Sequence, residues 1–324
     1  MLARQVQLVQ YPVGEVTPDH FATVEVEVPG PLAGQVLVRN TFTSVDPGMR
    51  LRLRESGPAG YFNSFPLGAA MDDIWAVGEV VESCAEGFEP GDCVWRAKGC
   101  RDNAIVTAGE PALAGIATLA RIDTSVAPAE KHLGPLGAMG VTAYAGMIDE
   151  AELREGDVVW VSAAAGAVGS LAAQIAKLRG HRVIGSAGSE EKVRYLLDEL
   201  GLDAAFNYRD GPVVHRLREA APDGLHVYFD NVGGDRLEAA LATLRPGRGA
   251  LCGAISEHES VGPTPGPGNL FMPRRTTSPC AASAEAPTST ACPTSCASSA
   301  GGWARADCAI ARRSSTASSE RRSR

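Results

Sequence analysis

The rhythm of apolar and polar positions changes once along the chain. In the first part it has a period of two. Gln5-Val6-Gln7-Leu8-Val9, Thr23-Val24-Glu25-Val26-Glu27-Val28 and Gly34-Gln35-Val36-Leu37-Val38-Arg39-Asn40 each put their apolar side chains on one face, and Pro29, Gly30 and Pro31 punctuate them. Residues 76–83 then lead through Pro90-Gly91 into Cys93-Val94-Trp95, a strand, a tight turn and another strand. Short strands with such turns predict a small β-barrel over residues 1–125. From about 126 apolar strands alternate with helical stretches. Strands are expected at 158–161, 181–186, 205–207, 225–230 and 249–253. Helices are expected at 131–148, 167–178, 190–200, 213–220 and 236–244. Alternation at this spacing implies an α/β unit with a parallel, doubly wound sheet, extending to 271.

The stretch 158–169, VVWVSAAAGAVG, organises this second part. A β-branched apolar run gives way to small residues and then to Gly166-Ala167-Val168-Gly169 at the start of an amphipathic segment, which reads as strand, turn, helix. Small residues belong there if the backbone turns sharply and lets a pyrophosphate approach the free N–H groups and positive dipole of a helix N-terminus. The pattern is AxxGxxG, short of the full GxGxxG, so a plain helix–strand contact is the competing reading.

Composition narrows the function classes. The formal net charge of −8 argues against a general nucleic-acid or anionic-membrane surface. No apolar run reaches the roughly 18–20 residues of a membrane span, and the first residues lack a signal-peptide core. A cytoplasmic location is therefore expected, with the eight cysteines as reduced thiols.

The second strand of the α/β part ends Gly185-Ser186-Ala187-Gly188-Ser189, with Lys192 one turn into the next helix. An acid there would accept hydrogen bonds from a free ribose 2′-hydroxyl, whereas a 2′-phosphate needs cations and hydroxyls. The sequence favours NADP over NAD. Against this, Ser189 can be merely a helix N-cap, with Glu190 and Glu191 complementing the dipole and Lys192 solvated. In the first part Cys93 and Cys100 are the only near pair of cysteines, and no Gly-His-Glu sequence accompanies them. Two small buried residues are the simpler reading, so no metal is expected.

Seven blocks carry a family resemblance: SVDPGMR (44–50), GPLGAMGVTAYAG (134–146), AAAGAVGSLAAQIAKLRG (163–180), GSAGSEEK (185–192), FNYRD (206–210), YFDNVGG (228–234) and CGAIS (252–256). In these the chain resembles the zinc-independent medium-chain reductases of the leukotriene-hydroxydehydrogenase and prostaglandin-reductase type. The resemblance implies a GroES-like substrate domain at 1–125, a Rossmann domain at 126–271 and a homodimer. It implies NADPH-dependent reduction of the carbon–carbon double bond of enones and alkenals by direct hydride transfer, with the enolate oxygen held by hydrogen bonds. Position by position, it puts Gly166, Ala167, Val168 and Gly169 on the pyrophosphate. Ser189, Lys192 and Tyr208 come at the adenosine phosphate, and Asn231, Gly253, Ile255, Met139 and Thr142 along the nicotinamide.

The chain departs from the pattern where an oxyanion partner is usual. Gly48 replaces the tyrosine of VDPYMR, and Glu257-His258-Glu259 stands where a tyrosine-asparagine pair is common. His258 can substitute as a donor or simply face solvent, so no catalytic residue is assigned. A quinone reductase and a nicotinamide-binding remnant without turnover are the competing functions.

From Met272 the composition breaks. Ile310 is the only Ile, Leu, Val or Phe in residues 272–324, which are mostly Ser, Ala, Thr, Pro, Arg and Cys. Such a segment cannot bury enough apolar area to offset its ordering entropy, and disorder is expected. Cys280, Cys292, Cys296 and Cys308 lack the histidines or paired spacing of a zinc site. Of the 30 basic residues only Lys98, Lys131, Lys177 and Lys192 are lysines, as GC-rich coding DNA would give. GC-rich DNA read out of frame yields this tail's mixture, and restoring one base before Met272 permits HATANDLTLRGFRGSSYVDRLPDVR. The tail therefore reads as out-of-frame translation.

Overall fold

A computed structural model describes residues 1–57, 63–110, 118–258 and 266–269, together with the backbone of 280–282. The chain forms two units, Met1–Gly137 and Ala138–Arg324. Past residue 125 the first unit includes a 3-10 turn at Ala129–Leu133 that packs on its strands.

In the first unit β1 (Leu2–Leu8) pairs antiparallel with β2 (Phe21–Glu27), from Leu2↔Glu27 to Leu8↔Phe21. There follow β3 (Gln35–Thr43), the short α1 (Met49–Arg52), β4 (Ala76–Ser83), β5 (Cys93–Arg96), β6 (Asn103–Thr107) and β7 (Leu119–Arg121). These strands form an antiparallel sheet in the order β6-β3-β4-β5-β7, a half-barrel. Period-two burial follows the sequence: Val36, Val38, Val80, Val94, Val106 and Leu119 make one core. Gly78 is obligatory in β4, since a Cβ there would lie 2.3 Å from the Arg39 carbonyl oxygen. One interior position is unexpected. Arg96, on the Val94 side of β5, is fully buried, and its Nε donates to Asn40 Oδ1 at 2.7 Å. Burial, then the charge of Arg101, pushes its pKa down to about 9.

The second unit begins with α2 (Ala138–Tyr144), which runs into a π-helical turn at Ala145–Glu150. Then come β8 (Val158–Val161), α3 (Ala167–Leu178), β9 (Arg182–Ala187), α4 (Glu190–Arg194), β10 (Ala204–Asn207) and α5 (Val213–Ala220). The series continues with β11 (Leu225–Asp230), α6 (Gly234–Leu241), β12 (Leu244–Leu251) and β13 (Cys280–Ala282). The sheet order is β10-β9-β8-β11-β12-β13, with every pairing parallel. Both faces are covered, so the strands are apolar at successive positions. Val159, Val161, Val183 and Phe229 pack with α2 and α3. Trp160, Ile184, Phe206 and Tyr228 pack with α5 and α6 on the other face. There Trp160 stacks on Tyr228 at 4.5 Å and on Phe206 at 6.2 Å between ring centroids.

Several elements differ from the sequence pattern. The helix expected at 131–148 breaks at Gly134–Gly137, where a Cβ on Gly137 would lie 2.1 Å from the His132 carbonyl oxygen. The one at 190–200 turns π-helical at Tyr195–Glu199, with Leu200 N donating to the Tyr195 carbonyl. α6 starts two residues before 236, because Gly233 and Gly234 take positive φ. β12 starts five residues before 249: Leu244 already pairs with Leu225, and a bulge follows. Within the tail Cys280–Ala282 forms the three-residue β13, in register from Gly249↔Cys280 to Leu251↔Ala282. Ladder hydrogen bonds use backbone groups and need no large side chain. Cys292, Cys296 and Cys308 lie outside the described residues. Among the described residues no helix is long and apolar enough to cross a membrane.

Candidate dinucleotide site

β8 lies between β9 and β11, and the chain leaves it first toward one neighbour and later toward the other. In a doubly wound sheet this reversal opens a crevice beyond the carboxyl ends of the strands, where ligands bind. The residues around it build the site.

After β8 the backbone turns at Ala163, a non-glycine residue at φ 47°. The Ala163 carbonyl accepts from Gly166 N at 2.9 Å, and Ala164 N donates to the Ser186 carbonyl at 3.0 Å, tying the turn to β9. Gly166 caps α3 without a side chain, and the first intrahelical bond comes from Ser170 N to the Gly166 carbonyl. The N–H groups of Ala167, Val168 and Gly169 therefore have no acceptor one turn back and face out of the helix start. Gly166 and Ala167 are exposed and Val168 is half-buried. Gly169 is different. It is buried, and a Cβ there would lie 2.4 Å from the Ala163 carbonyl oxygen. Its lack of a side chain lets α3 pack under the turn.

On the other side of the crevice one carboxylate organises the floor. Asp230 Oδ1, in a residue 1% exposed, accepts from Tyr228 OH (2.7 Å), Ser162 Oγ (3.2 Å), Val232 N (2.8 Å) and Gly233 N (2.8 Å). Its backbone carbonyl accepts from Cys252 N at 2.8 Å and Gly253 N at 2.9 Å. Burial, reinforced by the Asp230 charge, holds the Tyr228 phenol well above its usual pKa and lifts the Cys252 thiol to about 11. Asn231 is fixed twice to Ser162: its N–H donates to Oγ at 2.9 Å and its Nδ2 to the carbonyl at 2.7 Å. The Asn231 carbonyl accepts from Ile255 N at 3.3 Å, and a Cβ on Gly253 would lie 3.3 Å from that same oxygen. Asn231, Gly253 and Ile255 are thus brought together. Asp230, Ser162 and Tyr228 were not singled out from the sequence. The available signal was a polar residue closing each of two adjacent apolar strands.

Beyond β9 the Ser189 side chain accepts from Lys192 N at 3.3 Å and so caps α4, while Lys192 itself is exposed. A hydroxyl that accepts one bond still has its proton to donate. Asn207 Nδ2 donates to Glu190 Oε1 at 3.2 Å, engaging one of the two acids beside Ser189. Tyr208 follows β10, its N–H donating to the Ala187 carbonyl at 3.0 Å, and its ring covers Gly188 so closely that a Cβ there would lie 2.8 Å from the phenol oxygen. Ser189, Lys192 and Tyr208 are thus gathered at one end of the crevice. Met139 and Thr142 sit on α2, which packs against α3. Both are half-buried; Met139 packs on the core, and the Thr142 hydroxyl donates back to the Ala138 carbonyl at 2.8 Å.

The residues present fit a phosphorylated dinucleotide. Free N–H groups at the start of α3 suit a pyrophosphate, and the end of β9 carries a hydroxyl, a cation and a phenol but no carboxylate of its own. His258 ends the 3-10 turn that begins at Ile255, its N–H donating to the Ile255 carbonyl at 3.2 Å; Glu259 lies outside the described residues. Among the described residues no three His, Cys, Asp or Glu side chains come together to hold a metal ion.

Known proteins share this arrangement. Residues 4–113 match the family described as "N-terminal domain of oxidoreductase", and residues 167–288 match "Zinc-binding dehydrogenase". The chain is 39% identical over 251 residues to the 2-alkenal reductase (NADP(+)-dependent) of Nicotiana tabacum, covering 77% of this chain and 70% of that one. It is 39% identical over 254 residues to prostaglandin reductase 1 of Mus musculus, covering 78% and 72%. Among solved structures, CurA of Vibrio vulnificus in complex with NADPH superposes with a TM-score of 0.83 at 31% identity, over 93% of this chain and 88% of the other. The chain belongs to the medium-chain dehydrogenase/reductase superfamily, within its NADP-dependent alkenal and prostaglandin reductase type.

Proposed function

We propose that this protein reduces the carbon–carbon double bond of α,β-unsaturated ketones and aldehydes with NADPH. The observation that carries the reading is the 39% identity to an NADP-dependent 2-alkenal reductase over 77% of the chain. Bound NADPH would supply hydride to the β-carbon of the enone. Gly166, Ala167, Val168 and Gly169 would hold the pyrophosphate, the last three through their free N–H groups at the start of α3 and Gly166 by leaving the approach open. Ser189, Lys192 and Tyr208 would take the 2′-phosphate. Asn231, Gly253 and Ile255, with Met139 and Thr142, would border the nicotinamide, fixed by the Asp230 network so that the reacting ring meets a rigid wall. No residue is assigned to the enolate oxygen.

The partner is a small enone or alkenal. The charge of −8 is consistent with a cytoplasmic enzyme that binds neither nucleic acid nor membrane. Likeness to the family implies a homodimer, but a tail read out of frame removes the segment that would make the dimer contact. We also propose that the coding frame slips near Phe271; resequencing the gene around codon 271 tests this, an additional base there supporting the slip and an unchanged base sequence refuting it. The function itself is tested by NADPH oxidation with a medium-chain enone and, separately, a quinone. Faster turnover of the enone supports the reading. Preference for the quinone moves the assignment to a quinone reductase, and NADPH binding without turnover of either points to a binding remnant.

A further inference from the structure

A cation that the sequence motifs leave out lies over the Tyr208 ring face. Arg236, in the first turn of α6, lays its guanidinium carbon 4.1 Å from the Tyr208 ring centroid, whereas the adjacent Arg209 stands at 5.8 Å. Its side chain is only 16% exposed, which is unusual for an arginine on a helix start. It pairs through Nη1 with Asp235 Oδ1, the one hydrogen bond its side chain makes among the described residues, so Nε and Nη2 keep their protons available. The helix dipole does not explain the placement, because a cation at an N-terminus is unfavourable. Tyr208 in turn covers Gly188, next to Ser189, so Arg236, Tyr208 and Ser189 form a contiguous row across the end of β9.

We propose that Arg236 is a specificity-determining residue for NADPH over NADH. Its plane fixes the Tyr208 ring by cation–π contact, and its unused donors add charge-assisted hydrogen bonds to the 2′-phosphate at the end of β9. This rests on the reading that NADPH binds in the crevice, and it extends that site to an element, α6, outside the usual fingerprint. Asp235, 59% exposed, tempers the charge.

The test is calorimetric titration of the full-length protein and its variants with NADPH and with NADH, without substrate. Arg236→Ala is expected to weaken NADPH about tenfold and to leave NADH within about twofold, which also shows that the crevice is intact. Arg236→Lys, which keeps the charge without the plane, should recover part of the loss. Asp235→Asn should shift preference further toward NADPH. Equal weakening of both nucleotides by Arg236→Ala would make the residue merely structural, and an unchanged NADPH affinity would also overturn the proposal. If the wild-type protein bound neither nucleotide, the dinucleotide reading itself would fail, and this inference with it.

Discussion

At the carboxyl ends of β8 and β11 one buried carboxylate gathers four donors, and every group that shapes the crevice floor is tied to it directly or through Ser162. Beyond β9 and β10 the groups are half-buried or exposed: a capping hydroxyl, a solvated lysine, and a phenol ring under an arginine. The first end is stiff and sets positions. The second is adjustable and contributes charge. The contrast teaches that mutations at the floor act mainly through folding, whereas those at the adenosine end act mainly through the choice of nucleotide.

Asp230→Ala is the strongest way to break that contrast. It leaves Tyr228 OH and two N–H groups without their acceptor, and Ser162 Oγ with only the Phe229 carbonyl at 3.4 Å; buried donors left unmade cost about 1–3 kcal/mol each, not additively. A loss of about 3–5 kcal/mol is expected in urea unfolding; a loss below about 1 kcal/mol would mean that the floor does not depend on this carboxylate. Gly169→Ala comes next. Its Cβ would meet the Ala163 carbonyl at 2.4 Å, so about 1–3 kcal/mol of stability should go, with NADPH and NADH weakened alike. Selective loss of NADPH would contradict the packing role.

Ser189 sharpens the comparison because it serves both stability and binding. Ser189→Ala should cost about 1 kcal/mol through the lost cap, and Ser189→Gly only a few tenths. Both should weaken NADPH and spare NADH in calorimetry; unaltered NADPH affinity in Ser189→Gly would reduce the hydroxyl to a cap. The smallest effect has the opposite sign. Ala163→Gly relieves a left-handed alanine, worth about 1–2 kcal/mol, and most of that gain is offset by glycine's greater entropy in the unfolded chain. A rise of about 0.5 kcal/mol, read as a higher Tm, is expected, and a clear fall would show that Ala163 is not strained.

Much of the fold was legible because its signals are local. The alternation of residues 23–28 and the apolar run at 158–161 report burial on one face and on two, and the small residues of 162–169 mark the turn. What escaped depends on distant partners. Nothing in the sequence around Arg96 says that Asn40 will receive it inside the half-barrel, nor around Arg236 that Tyr208 lies beside it. The candidate cofactor residues drawn from motifs also sit in unequal surroundings: Gly166 is exposed, while Gly169 is buried against the Ala163 carbonyl. β13 escaped for another reason, since composition reports side-chain burial and a parallel edge strand forms through its backbone.

Trp160 has a practical consequence. Its indole is fully buried, its Nε1 has no hydrogen-bond partner among the described residues, and it stacks on Tyr228, whose hydroxyl rests on Asp230. An indole so dry emits toward the blue, in the range that reduced nicotinamides absorb. The protein therefore carries an optical reporter beneath the crevice, and quenching of that band would reveal an arriving dinucleotide without any label.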